Sequence, residues 1–429
     1  MFITSMATFV QSFLVLKLSF LALFLVASML EVGRQRRVRV YPRLVSFYLS
    51  IGVAGIAWSL VGLVNVVNNV VGVTDALRLY VIWSIAFLIL YTLLRSRPSL
   101  WVIHVAMVAS GILISVINLV GLADQIGRWG LIPDAIRQEL QLNIGIHEGY
   151  IQITSKNIGA LFLIVPYLLS LQFRADAGKA NSAVTKVALV LSLILTAVSG
   201  RRALWLVVAL TPCTILLFSR FADASGLVGA GARRFLAAYA IAVAIGLGTM
   251  SILPARITDI GSVRHIAAAF SAQDERTIQK GYLVDAFAES PILGSGFGAY
   301  AGYMRNAERS WTYELTYHQM LFNIGIVGVV ILGGLISAYV VIVFLLLRRF
   351  KAASPIPFGL LIAFVSLLFG AYSNPYLRSF DFLFFVGLLP YLSTFQSGFN
   401  ELAPKLTNRA ATTLQIDEPP QEPAARIRS

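Results

Sequence analysis

Three short stretches carry side chains able to do chemistry. Glu314 and His318 stand four residues apart where an apolar run begins, in "ELTYHQMLFNIGIVGVV" (314–330). Arg276 and Lys280 are also four apart, in "DERTIQKGYLVDAFAES" (274–290), and so share one face of a helix. Arg201 and Arg202 form the link between two apolar runs in "AVSGRRALWLVV". A guanidinium donates two parallel hydrogen bonds and therefore suits phosphate oxygens. A carboxylate or an imidazole can take a proton from a hydroxyl. Such a set would suit a lipid-linked diphosphate. The arginines would hold the phosphates, and His318 could accept the proton. Each group also has a structural reading. Arginines at a bilayer edge contact lipid phosphate or helix carbonyls, and a histidine there can simply pack.

The elements that must position these groups are membrane helices. The chain is 58% hydrophobic and 13% charged over 429 residues, and apolar runs recur at the length that spans a bilayer. Backbone groups in lipid must be satisfied within the segment, and the runs lack barrel alternation, so the fold is all-α and polytopic. The pattern predicts about eleven spans (ten to twelve): roughly 9–30, 44–64, 77–94, 99–122, 157–173, 185–200, 203–219, 235–253, 318–347, 356–374 and 380–396. Residues 1–400 then form one transmembrane domain, and 401–429, with "EPPQEP", a disordered cytoplasmic tail.

Basic stretches at 34–43, 95–97, 174–186, 232–234 and 348–351 fall on one side if the spans alternate, which makes that side cytoplasmic. The +14 formal charge therefore marks topology and does not argue for nucleic acid. The outer loops are then about 65–76, 201–202, 375–379 and two long ones, 123–156 and 254–317. The last is expected to be a partly helical lid along the membrane surface. Asp274 would cap its helix, Ser290-Pro291 would end it, and Ile278, Tyr282, Leu283, Ala286 and Phe287 would form its apolar stripe. Glycines at 294, 296 and 298 mark a turn, or a backbone cradle for an anion.

The remaining polar residues are expected to be structural. Lys17 would snorkel, and His104 would pack or bond between helices. Asn65, Asn68 and Asn69 would face a loop, and Arg378 and Asp381 would pair. His147 and His265 fall on the outer side with His318. The single cysteine, Cys213, permits no intrachain disulfide and no thiol metal site.

Four segments together resemble the O-antigen ligase and polymerase superfamily of bacterial envelope glycosyltransferases. They are "SKNIGALFLIVPYLLSL" (155–171, with Asn157 and Pro166), "LTAVSGRRALWLVVAL" (195–210), "RTIQKGYLVDAFAESPILGSGFGAY" (276–300) and "HQMLFNIGIVGVV" (318–330, with Gly325 and Gly328). The resemblance implies a multi-pass protein of the bacterial inner membrane whose active site faces the periplasm. Its donor would be an undecaprenyl-diphosphate-linked oligosaccharide, used without metal, cofactor or nucleotide sugar. The acceptor would be another lipid-linked glycan for a polymerase, or lipid A core for a ligase, and a polymerase would partner a chain-length regulator protein. By this resemblance Arg201 or Arg202 takes the place of the turn arginine, Arg276 that of the lid arginine, and His318 that of the motif histidine.

Two departures stand out. Gln319 occupies a position where ligases usually have Asn, and His318 lies about four residues, one helical turn, nearer its glycine than in ligases. Glu314 then takes the height of the ligase histidine, so Glu314, His318 or the two as a coupled pair could be the base. Both departures lean toward a polymerase of surface-polysaccharide repeat units. From another class, a lipid-linked glycan flippase would share the composition but should carry charges near the bilayer midplane and repeated halves.

Overall fold

The computed structural model describes residues 14–35, 42–65, 68–93, 100–127, 129–147, 150–173, 178–221, 234, 275–304, 309–349, 355–373, 377 and 380–393. The expected span at 235–253, the tail at 401–429, His265, Asp274 and Arg378 lie outside these residues, and the side chains of Arg202, His147 and Asp381 lie outside what is described.

Helices dominate in chain order. They are α1 (Leu14–Gln35), α2 (Pro42–Val64) and α3 (Val70–Leu77), the last continued through a π-turn at Arg78–Ile82 into α4 (Trp83–Leu93). Next come α5 (Leu100–Gly127), the short α6 (Asp134–Leu140) and an antiparallel hairpin of β1 (Asn143–His147) with β2 (Tyr150–Thr154). A 3-10 turn at Lys156–Ala160 leads into α7 (Leu161–Gln172), followed by α8 (Ala183–Val198) and α9 (Arg202–Phe221). The chain ends with α10 (Glu275–Glu289), α11 (Thr316–Arg349), α12 (Pro355–Gly370), α13 (Phe380–Val386) and α14 (Leu388–Ser393).

Five stretches among the described residues are long and apolar enough to cross a membrane: Pro42–Val64, Val70–Ile89, Leu100–Gly127, Ala203–Arg220 and Thr316–Arg348. Shorter apolar helices accompany them at Lys156–Gln172, Ala183–Val198, Pro355–Gly370 and Phe382–Tyr391.

The solvent of these helices is legible in α2. Its buried face carries Leu44, Phe47, Tyr48, Ile51, Gly55, Trp58 and Gly62, yet its exposed face is also apolar, with Leu49, Val53, Ile56, Leu60 and Leu63. A helix in water would carry polar residues there, so the outer stripe belongs against lipid. The protein is a multi-pass helical membrane protein. At its centre is α7, buried on all sides from Leu161 to Leu168. It packs antiparallel to α12, with Phe162 against Gly370 and Tyr167 against Gly359. The Tyr167 hydroxyl meets His104 Nδ1 of α5 at 2.9 Å, the helix–helix bond expected for that histidine.

Several expectations are corrected. The helix expected at 77–94 begins at Val70, because Asn69 caps it by accepting the Val71 N–H at 2.9 Å. The outer loop at 65–76 shrinks accordingly. Asn68 faces a loop as expected and is tied to it: its amide donates to the Gly62 carbonyl at 3.2 Å and to that of Ser295, in the segment after Ser290-Pro291, at 2.8 Å. Lys17 is buried within the protein and does not snorkel. The loop 123–156 holds α6 and the hairpin. Asp124, at the end of α5, ties this region down by accepting from the Leu131 and Ile132 amides and from Arg137 at 3.0 Å.

Candidate active site

The lid expected on the surface is half inserted into the bundle. Helix α10 spans Glu275–Glu289 as its sequence suggests, and Ser290-Pro291 ends it. The glycine segment that follows enters between α2, α3 and α11. Gly294, Gly296 and Gly298 have φ of 73°, 82° and 83°, a conformation other residues rarely adopt. A Cβ on Gly296 would lie 2.3 Å from the Gly62 nitrogen, so main chains here touch directly.

This insertion explains a break in α11. That helix is interrupted at Gly325 (φ 62°, ψ −173°), where a continuous span was expected. The groups freed by the break are paired with the glycine segment. Ser295 N–H donates to Phe322 O and Gly296 N–H to Asn323 O, both at 2.9 Å. In return, Ile326 and Val327 N–H donate to the Pro291 and Ile292 carbonyls at 2.9 and 3.1 Å. Broken backbone at membrane depth is tolerated where protein re-satisfies it in this way. The Phe297 amide goes to Trp58 O and the Gly294 amide to Ser290 O. These amides already have main-chain partners, so the segment is neither an anion cradle nor a simple turn.

Docked by its C-terminal end, α10 lays one face along the start of α11. Arg276 Nε donates to Glu314 Oε2 at 2.8 Å. Lys280, one turn on, is within electrostatic reach of the His318 ring. Helix α10 thus brings Arg276 to Glu314, four residues before His318. Glu314 is not on α11 as its spacing suggests. It sits in the bend before Thr316, and Leu315 O accepts the Gln319 N–H that opens the helix.

The face of α10 differs from the expected stripe. Gln279 and Leu283 are its buried residues, while Ile278 and Tyr282 are exposed. Gln279 Oε1 accepts the Glu314 main-chain N–H at 3.1 Å. Gln319 is buried too and donates to Trp311 O at 2.6 Å, clipping the bend that carries Glu314. Nearby, the Tyr313 hydroxyl accepts the Ala301 amide at 2.8 Å, and burial pushes its pKa above the ordinary phenol value. The His318 ring is half-buried, lies edge-on to Tyr372 (centroids 6.0 Å apart), and has no hydrogen-bond partner at its buried Nδ1 among the described residues.

Arg201 reaches the same end of the bundle by another route. Helix α8 stops at Val198, and Ser199, Gly200 (φ 65°) and Arg201 make the turn. The Arg201 carbonyl accepts the Leu204 and Trp205 amides, so it caps α9, and Arg202 is already the first helical residue. The Arg201 guanidinium donates to the Ser155 carbonyl at 3.0 Å. Ser155 belongs to a buried cluster in which its hydroxyl lies 2.7 Å from Asn118 Oδ1 and 2.6 Å from Asn157 Oδ1, and Asn118 Nδ2 donates to Asn157 at 3.0 Å. This cluster opens α7, whose Phe162 touches the end of α12 at Gly370. Two residues on, Tyr372 meets His318. Tyr317, beside His318, donates to the Leu368 carbonyl at that same end of α12. Arg201 and the Arg276–Glu314–His318 group therefore share one end of the bundle.

Sequence reasoning missed Gln279, Asn118 and Ser155. Asn118 had a signal, a polar side chain within an apolar run; Gln279 and Ser155 lie in polar stretches that gave none. No family model matches this chain, and no curated protein does.

Proposed function

We propose that this chain is a glycosyltransferase of surface-polysaccharide biosynthesis, a polymerase in the O-antigen ligase and polymerase superfamily. It moves a glycan from an undecaprenyl diphosphate carrier to the hydroxyl of another lipid-linked repeat unit on the periplasmic face of the inner membrane. The observation that carries this proposal is the pairing of Arg276 with Glu314, four residues before His318, at the head of one apolar helix. Fixed cations beside proton acceptors are what displacement of a diphosphate by a hydroxyl needs.

The acceptor oxygen bonds to the anomeric carbon while the carbon–oxygen bond to the diphosphate breaks, and the electron pair leaves on the diphosphate. Arg276, with Arg201 or Arg202, meets the charge that grows on the leaving group, usually the largest catalytic term. His318 or Glu314 takes the acceptor's proton, worth about 10²–10⁴-fold. A single displacement inverts the anomeric centre. The basic stretches at 34–43 and 348–351 flank the opposite ends of α2 and α11, which supports a periplasmic site.

Deleting the gene and resolving surface glycans on a gel tests the proposal. Single repeat units on the core are the expected product. Loss of all attached glycan, with lipid-linked polymer accumulating, would identify a ligase. A lipid-linked glycan retained on the cytoplasmic face would identify a flippase and end the transferase proposal.

A further inference from the structure

Glu314 is held twice by the same helix. Its main-chain N–H goes to Gln279, a fully buried amide (0% exposed) at a position where a lid helix should bury an apolar residue. Its carboxylate goes to Arg276, whose side chain is 39% exposed against 21% for Glu314. The first bond is neutral and shielded; the second is charged and reachable from solvent. A polyanion arriving at the site competes for the guanidinium, because phosphate oxygens bind it by the same geometry as a carboxylate. It has no purchase on the buried amide bond.

Resting on the diphosphate-transfer function above, we propose that Gln279 is a positioning residue. It fixes the Glu314 main chain so that the carboxylate exchanges Arg276 for the acceptor hydroxyl once the donor's diphosphate occupies Arg276. The carboxylate then receives the acceptor's proton as the new carbon–oxygen bond forms and the diphosphate leaves. Before donor binds, the carboxylate is engaged with Arg276; afterwards it meets the acceptor hydroxyl, already in register.

The full chain in nanodiscs, titrated with inorganic pyrophosphate, tests the exchange. Glu314→Gln should bind about two- to fivefold more tightly than wild type, the range that a partly exposed ion pair is worth. Arg276→Ala should bind more weakly. Equal affinity of Glu314→Gln and wild type overturns the exchange but leaves diphosphate binding intact. Equal affinity of Arg276→Ala and wild type overturns the diphosphate function itself.

Turnover of lipid-linked donor tests the positioning. Gln279→Met should lower kcat about ten- to hundredfold, as misplacement of a reacting group does, with the KM for donor unchanged. Made in the Glu314→Gln background it should cause no further loss, because the two act as one unit. Gln279→Asn, which keeps a neutral buried amide but draws its oxygen back by one carbon–carbon bond, about 1.5 Å, should lose activity as Gln279→Met does. Additive losses in the double variant, or wild-type kcat in Gln279→Asn, overturn the positioning role, and the Gln279→Asn result stands even if Gln279→Met fails to fold.

Discussion

Two arginines at one end of the bundle are held in opposite ways. The Arg201 guanidinium donates to a main-chain carbonyl, that of Ser155, which is itself fixed by buried amides and hydroxyls. The Arg276 guanidinium donates to a side-chain carboxylate, and both partners are partly exposed. A carbonyl wedged in the fold cannot leave; a carboxylate can. Arg201 is therefore a preset charge, whereas Arg276 is a charge with a replaceable partner. In the proposed reaction the first is pre-organised for the leaving group, and the second responds to whether donor is present.

The sharpest way to break this comparison is Arg276→Ala. Its glycan product should fall by about 10²–10³-fold, the usual loss on removing one charge-stabilising donor. Its melting midpoint should barely move, because an exposed pair is worth about 1 kcal/mol at most. A large loss of stability would put Arg276 in the same class as Arg201.

Arg201→Ala should show the other pattern. Turnover falls by about 10²-fold, and stability measured by denaturant or heat falls as well, by about 1–3 kcal/mol, because the Ser155 carbonyl is left without that donor. Asn118→Leu should have a smaller effect on chemistry. Removing its amide takes one partner from each of Ser155 and Asn157, which still bond each other; this destabilises by about 0.5–1.5 kcal/mol, while turnover drops only about tenfold through drift of Arg201. Should Asn118→Leu melt like wild type, the cluster is not what fixes Arg201. The smallest change in turnover is expected of His104→Phe, which takes this partner from the buried Tyr167 hydroxyl, lowers stability by about 1–3 kcal/mol and leaves glycan transfer unaltered.

What could be read from the chain alone followed from local periodicity. Four-residue spacing puts Arg276 and Lys280 on one face, and the helix that carries them begins and ends where its composition indicates. Apolar runs mark the helices, including the buried α7, because length and hydropathy are local quantities. Partners distant in sequence were hidden. Asn118 meets Asn157 across 39 residues and Gln279 meets Glu314 across 35, and no pattern within either segment announces the other. The break at Gly325 was hidden for the same reason. Its hydrogen bonds are completed by residues 291–296, so a glycine that looks tolerable inside a span is in fact its interruption. The hairpin had a local signal in the alternation of Ile144, Ile146, Ile151 and Ile153, masked by its place in a polar connection.

The seam between the glycine segment and the broken helix also decides how the lid can move. Four main-chain bonds pin the chain just beyond Ser290, so α10 is hinged at one end. Arg276 sits near the other end, 14 residues away by numbering, a lever arm of about 21 Å at helical rise. A tilt of about 10° about the hinge would carry the guanidinium roughly 4 Å and Gln279 roughly 3 Å. The buried bond from Glu314 to Gln279 therefore locks the anchored rod against such rocking. Any change of electrostatic partner at its tip falls to the Arg276 side chain, while rod and joint stay docked.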